Sequence, residues 1–229
     1  MSDQINEMFS AIHKRYDLMN HMLSLGIDGI WRKRAAEESI IDKKSYRVLD
    51  VASGTGELAI TIKKLCDKSG KKIELFGVDF NKDMLGIAKK KAKKLDLDIR
   101  FQIGDALALK FPNDYFEVVA SSFGLRDFDS LEKFVKESHR VLKKNGKLVL
   151  LEMSKPDIGI MKYLFRIYFG VMLLEGLFVD RRAYSFLVDS IKRFDKRNLV
   201  NLLKEHGFVR VELVDLPFRA AFLATAYKA

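Results

Sequence analysis

The stretch "RVLDVASGTGELAITIKKLC", Arg47 to Cys66, decides the fold. "RVLDVAS" is an apolar run of strand length, "LAITIKKLC" has helical spacing, and two glycines, Gly54 and Gly56, stand between them. A strand that runs through a glycine turn into a helix is the first unit of an open α/β sheet. The same alternation continues outward. "IELFGVDF" (Ile73–Phe80), "DIRFQIG" (Asp98–Gly104), "FEVVASSF" (Phe116–Phe123) and "KLVLLEMS" (Lys147–Ser154) read as strands. "DMLGIAKKKAKKL" and "SLEKFVKESHRVLKK" read as helices between them, with Asn145 and Gly146 capping the second helix and turning the chain into the next strand. After the helix "KRNLVNLLKEHGF", which ends at Gly207, "VRVELVDLPF" and "AAFLATAYK" form a closing antiparallel hairpin. The expected fold is α/β: a Rossmann-like, seven-stranded, mostly parallel sheet with helices on both faces.

A single domain is expected over 1–229. It divides into an N-terminal helical lid (1–45), a cofactor-binding core (46–155), an apolar helical insertion (156–190) and a C-terminal helix and hairpin (191–229). The insertion's longest unbroken apolar run, "IYFGVMLL", falls far short of the roughly 18 residues a membrane span needs. It is expected to act as core packing, as a lid over a greasy ligand, or as a surface that touches the bilayer. One cysteine, Cys66, excludes an internal disulfide framework and a cysteine-rich metal site, so no metal is expected. The first residues carry no secretory pattern, and a cytoplasmic location is expected, with peripheral contact at the inner face of the membrane. The formal net charge of +10 suits nucleic acid, an anionic surface or an acidic ligand without choosing among them. The lysine run "KKKAKK" reads as a solvated helix face.

The candidate cofactor residues lie at strand ends. Asp50 ends the first strand, and Gly54, Thr55 and Gly56 form a loop whose backbone can approach a ligand closely. Asp79 ends the second strand, where a carboxylate accepts hydrogen bonds from ribose hydroxyls. Asp105 and Ala106 follow the third, offering a carboxylate to an adenine amino group and a backbone N–H to a ring nitrogen. Isolated aspartates at such ends usually cap helices or form turns. Three at successive strand ends, all on the ligand-binding edge, point to a nucleoside-containing cofactor. "GTGELA", with Ala59 as its third position, also keeps a nicotinamide cofactor open.

The segments "YDLMNHMLSLGIDGIW", "SSFGLRDF", "RVLKKNGKLVLLEMSKP" and "RAYSFLVDSIKRF" resemble the signature regions of the ubiquinone/menaquinone biosynthesis C-methyltransferases, of the class I S-adenosylmethionine-dependent group. The resemblance runs from about Phe9 to Phe208. It implies S-adenosyl-L-methionine as cofactor, a demethylated isoprenoid quinol as substrate, and methyl transfer to a ring carbon. It also implies Arg126 as stabiliser of a developing oxyanion, against an ordinary salt bridge to Asp127 or Asp129, and Ser122 as a cofactor contact. Tyr16 and Tyr184 are candidates for the quinol oxygen, and Met19 for a pocket admitting the isoprenoid tail. Asp28 stands where the family usually has His, near the substrate side or a subunit surface; Glu57 stands where it has Asp. The final hairpin lacks the family's usual glycine pattern. Competing expectations are methyl transfer to another hydrophobic acceptor, a nicotinamide oxidoreductase and a nucleic-acid-binding protein. No nucleic-acid partner is expected, and a homodimer is left open.

Overall fold

The structure is a computed structural model, and it describes residues 26–155, 190–191 and 193–229. Seven strands form one sheet: β1 Ser45–Val51, β2 Lys72–Asp79, β3 Arg100–Ile103, β4 Phe116–Ser122, β5 Leu142–Met153, β6 Phe208–Asp215 and β7 Ala221–Lys228. Their order is β3-β2-β1-β4-β5-β7-β6. The first five strands run parallel. β7 slots antiparallel between β5 and β6, so only this strand runs against the rest. The Rossmann-like sheet and C-terminal hairpin match the sequence expectation, with the hairpin's second strand as the inner one.

Among the described residues the α-helices are α1 Asp28–Glu38, α2 Glu57–Lys68, α3 Lys82–Lys94, α4 Leu131–Val141 and α5 Lys196–Glu205. Strand alternation sends successive side chains to opposite faces. Val48 of β1 and Val118 and Ala120 of β4 therefore join Trp31 of α1, Leu58 and Ile62 of α2 and Leu85 of α3 in one core. Leu49, Val51 and Val119 face the other way, against Phe134 of α4 and Leu199 and Leu203 of α5. Asn81 caps α3 by accepting hydrogen bonds from Asp83 N and Met84 N. Lys91, Lys93 and Lys94 of the lysine run fall in its last turn, where cations complement the exposed carbonyls.

One boundary departs from expectation. α4 stops at Val141 rather than continuing through "LKK", because Leu142 already turns extended (φ −72°, ψ 140°) and pairs with Phe116. The turn that follows places Asn145, not Gly146, at positive φ (+58°). Gly146 is required for a different reason: a Cβ there would lie 2.7 Å from the Lys143 carbonyl oxygen.

Candidate functional site

The backbone leaves β1 toward β2 and β3, then returns to place β4 on β1's other side. Ligands of open α/β sheets bind at this reversal, outside the carboxyl ends of the strands. Three residues here hold positive φ in close succession: Ala52 (+54°), Gly54 (+53°) and Gly56 (+82°). The loop is tied down by Ser53 N donating to Val78 O (3.0 Å) and Gly56 N to Ser53 O (2.8 Å). The two glycines do different work. A Cβ on Gly54 would make only ordinary contact with Met84, so its conformation alone demands glycine. A Cβ on Gly56 would lie 2.9 Å from the Phe101 ring and 3.0 Å from Ala88, so Gly56 also permits close packing inside the protein. Thr55 between them is buried.

Asp50 is fully buried at the end of β1. Its Oδ2 accepts the Ala59 N–H at the start of α2 (3.1 Å), while Oδ1 has no partner among the described residues. Burial pushes its pKa up to about 8; the Ala59 N–H opposes that shift, Asp79 adds to it and Arg32 opposes it. Asp79 accepts Gly54 N at Oδ2 and Asn81 N at Oδ1, both at 2.8 Å. Burial raises its pKa too, against the N–H groups of Asn81, Gly54 and Phe80. A carboxylate has about four acceptor positions, so Asp79 can still accept a hydroxyl donor beside these N–H groups.

Beside Asp79 lies a cavity of about 160 Å³, walled by Ala52, Val78, Phe80, Asp105, Ala106, Phe128 and Asp129 among others. Asp105 is exposed and its Oδ1 accepts Leu107 N (2.8 Å), while Ala106 is buried in the wall. Ser122 ends β4, partly buried and outside that wall. Its neighbour Ser121 is fully buried, and the hydroxyls of Ser121 and Ser53 have no partner among the described residues.

Arg126 occupies a single 3-10 turn, Leu125–Asp127, just past β4. Its side chain is 3% exposed, and its Nε donates to Glu152 Oε1 (2.7 Å) and its Nη1 to Ser190 Oγ (2.9 Å). Glu152 is fully buried and also accepts Leu125 N (2.9 Å) and Met153 N (2.7 Å). The sequence missed this carboxylate, although a lone Glu inside the apolar run "LVLLEMS" was its signal. Phe123 holds positive φ (+60°), a second strained non-glycine position at this edge. The Arg32 guanidinium lies 5.0 Å from the Phe123 ring centroid, and Arg32 is ion-paired with buried Asp28 one helical turn earlier. Glu57 pairs with Lys91 (2.5 Å). Tyr16, Met19 and Tyr184 lie outside the described residues.

The sequence matches the ubiE/COQ5 methyltransferase family over residues 1–228. The chain belongs to that family. It is an enzyme, a methyltransferase, which removes the nicotinamide oxidoreductase and the nucleic-acid-binding protein as readings. It is 40% identical to a demethylmenaquinone methyltransferase of Thermus thermophilus, covering 90% of this sequence and 94% of the relative. It is 36% identical to one from Bacteroides fragilis (99% and 93%) and 35% identical to the ubiquinone/menaquinone biosynthesis C-methyltransferase UbiE of Rickettsia prowazekii (98% and 92%). A putative S-adenosyl-L-methionine-dependent methyltransferase from Methanococcus maripaludis shares the fold with TM-score 0.67 at 19% identity, covering 95% and 92%.

The residues fit a nucleoside sulfonium that carries an amino-acid tail. A buried Asp50 carboxylate oxygen with no partner among the described residues suits an ammonium group, Asp79 suits ribose hydroxyls, and the adjacent cavity is walled by apolar side chains with Asp105 and Asp129. Among the described residues, no group of three His, Cys, Asp or Glu is placed to hold a metal, and no helix is long and apolar enough to cross a membrane.

Proposed function

We propose that this protein methylates a ring carbon of a demethylated isoprenoid quinol, demethylmenaquinol or a ubiquinol precursor, in quinone biosynthesis. The observation that carries this reading is family membership over residues 1–228, joined to relatives named for that chemistry at 35–40% identity. The cofactor is S-adenosyl-L-methionine, whose contribution is an electrophilic methyl group on a positively charged sulfur. Asp50 receives the amino group, Asp79 the ribose hydroxyls, and Asp105 with the Ala106 N–H the adenine edge. Gly54, Thr55, Gly56 and Ser122 complete the cradle.

An aromatic carbon attacks a methyl group only when its ring is electron-rich, so the reduced quinol is the competent acceptor. Arg126, anchored by Glu152 and Ser190, presents a fixed positive charge to the oxygen that becomes anionic. Tyr16, Met19, Asp28 and Tyr184 belong to the acceptor side of the same reading, and contact of residues 156–182 with a bilayer surface gives the apolar tail its entry. The protein works at the inner membrane face, as a monomer or homodimer.

The test is transfer of labelled methyl from S-adenosylmethionine to demethylmenaquinol, to a demethylated ubiquinol precursor and to unrelated hydrophobic phenols under reducing conditions. Methylation of either quinol supports the reading. Methylation confined to another acceptor overturns its substrate while leaving the enzyme class intact.

A further inference from the structure

Six acidic side chains gather at the carboxyl edge of the sheet; Asp129 is exposed in the cavity wall, and four others are already committed. Asp50 accepts the α2 N–H, Asp79 accepts two loop N–H groups, Asp105 accepts the Leu107 N–H, and Glu152 accepts Arg126 together with two backbone donors. The sixth is Asp127. Its backbone N–H donates to Gly124 O (3.2 Å), which closes the turn, but its carboxylate accepts no hydrogen bond among the described residues. The turn abuts the glycine loop so closely that a Cβ on Gly124 would lie 2.7 Å from the Ala52 Cβ. The next two residues, Phe128 and Asp129, wall the cavity beside Asp79. Asp127 therefore sits, half-buried, in the turn that joins Arg126 to the cavity-lining Phe128 and Asp129.

We infer that Asp127 is the proton acceptor for the hydroxyl of the methyl acceptor, an assignment that rests on the quinol reading above. Methylation of a phenolic ring carbon requires the hydroxyl proton to leave as electron density moves into the ring. Arg126 cannot take it, since a guanidinium remains protonated at any working pH. Division of labour follows from adjacency: Arg126 holds the oxygen's negative charge, and Asp127 holds its proton.

The step balances. The O–H proton passes to the Asp127 carboxylate, the oxygen's electron pair enters the ring, and the ring carbon bonds to the methyl group. The methyl carbon–sulfur bond breaks with its electron pair kept on sulfur. The ring carbon then loses its own hydrogen as a proton to water, and Asp127 returns the stored proton to the ring oxygen. One proton is released overall, and no oxidant or reductant is consumed.

The electrostatics match the role. Burial pushes the Asp127 pKa up to about 7; Arg126 pulls it down, and Glu152 and Asp79 add to the rise. A general base works best with a pKa near the operating pH.

The experiment measures kcat and both KM values of the full-length protein with a short-tailed demethylmenaquinol under reducing conditions, from pH 5.5 to 9. Wild-type kcat should rise along a limb with its midpoint near 7. Asp127→Asn should lower kcat by about 10²- to 10⁴-fold and abolish the limb, with KM for S-adenosylmethionine within about twofold. Asp127→Glu should recover at least about tenfold of that loss. A flat wild-type profile overturns the assignment, and it does so whether or not Asp127→Asn folds. So does an Asp127→Asn enzyme that keeps wild-type kcat and limb, or one whose loss lies in cofactor affinity. Absence of wild-type turnover overturns the quinol reading and the assignment together; turnover with an unaffected variant overturns the assignment alone.

Discussion

Replacing Glu152 by Ala removes one carboxylate that serves three donors. Arg126 Nε, Leu125 N and Met153 N all lie within 2.9 Å of its oxygens, and the Arg126 side chain is 3% exposed. Removing one partner of a buried ion pair costs about 3–5 kcal/mol, because the other charge is left without compensation. The two orphaned N–H groups would each add about 1–3 kcal/mol if no water reached them, and a cavity the size of the lost carboxylate admits some. Loss of Arg126's other hydrogen bond, to Ser190, need not follow. The expected destabilisation is therefore about 4 kcal/mol or more, with Glu152→Gln losing roughly half as much because it keeps an accepting oxygen. For a protein of this size that corresponds to a fall in Tm of about 8–16 °C. Urea unfolding followed by far-ultraviolet circular dichroism measures it. Glu132→Ala is the control, since Glu132 pairs with Lys136 on the surface with both side chains more than half exposed, and it should be indistinguishable from wild type. A Glu152→Ala protein within about 1 kcal/mol of wild type would refute the idea that this carboxylate anchors the Arg126 turn.

Two further outcomes follow from the site. The Asp50 pKa is raised to about 8 in the folded protein against an ordinary value near 4, so between those values the folded state holds a proton that the unfolded state has lost. Unfolding free energy should fall as pH rises through that window, by up to about 1.4 kcal/mol per pH unit from this group, and Asp50→Asn should flatten the slope in denaturant titrations from pH 5 to 7.5; an unchanged slope counts against Asp50 as its source. Gly77→Ala would bring a Cβ to 2.4 Å from the Phe101 ring and 3.1 Å from Ser53 Oγ. Overpacking of this kind costs about 1–3 kcal/mol, and trimming the ring in a Gly77→Ala/Phe101→Leu double variant should restore part of it; a double variant less stable than the sum of the singles contradicts the clash.

Much of the candidate site was legible because its chemistry is local. A glycine loop between strand and helix and an aspartate at each of three strand ends are patterns within a few residues, and the β–α alternation around them is a pattern of period. Other features have no such local mark. The sequence offered Asp127 and Asp129 as partners for Arg126, yet the carboxylate that holds it lies 26 residues away on β5. Ala52 and Phe123 hold positive φ without being residue types that seek it, so the surrounding packing must impose those conformations.

By itself the sequence determined the strands of the sheet and the helices between them, their alternation, the class of cofactor and the family. Only the tertiary structure decided which face each side chain takes. Strands covered on both sides read as continuous apolar runs, so the period-two signal that would aim Asp50 toward α2 and Leu49 toward α4 is erased by burial itself. The strand order was equally out of reach, since pairing β7 with β5 ahead of β6 depends on contacts between segments about seventy residues apart. Asp127 shows the combined effect. Its type and position were plain, but its carboxylate's lack of a donor among the described residues and its raised pKa arise from what the fold packs around it.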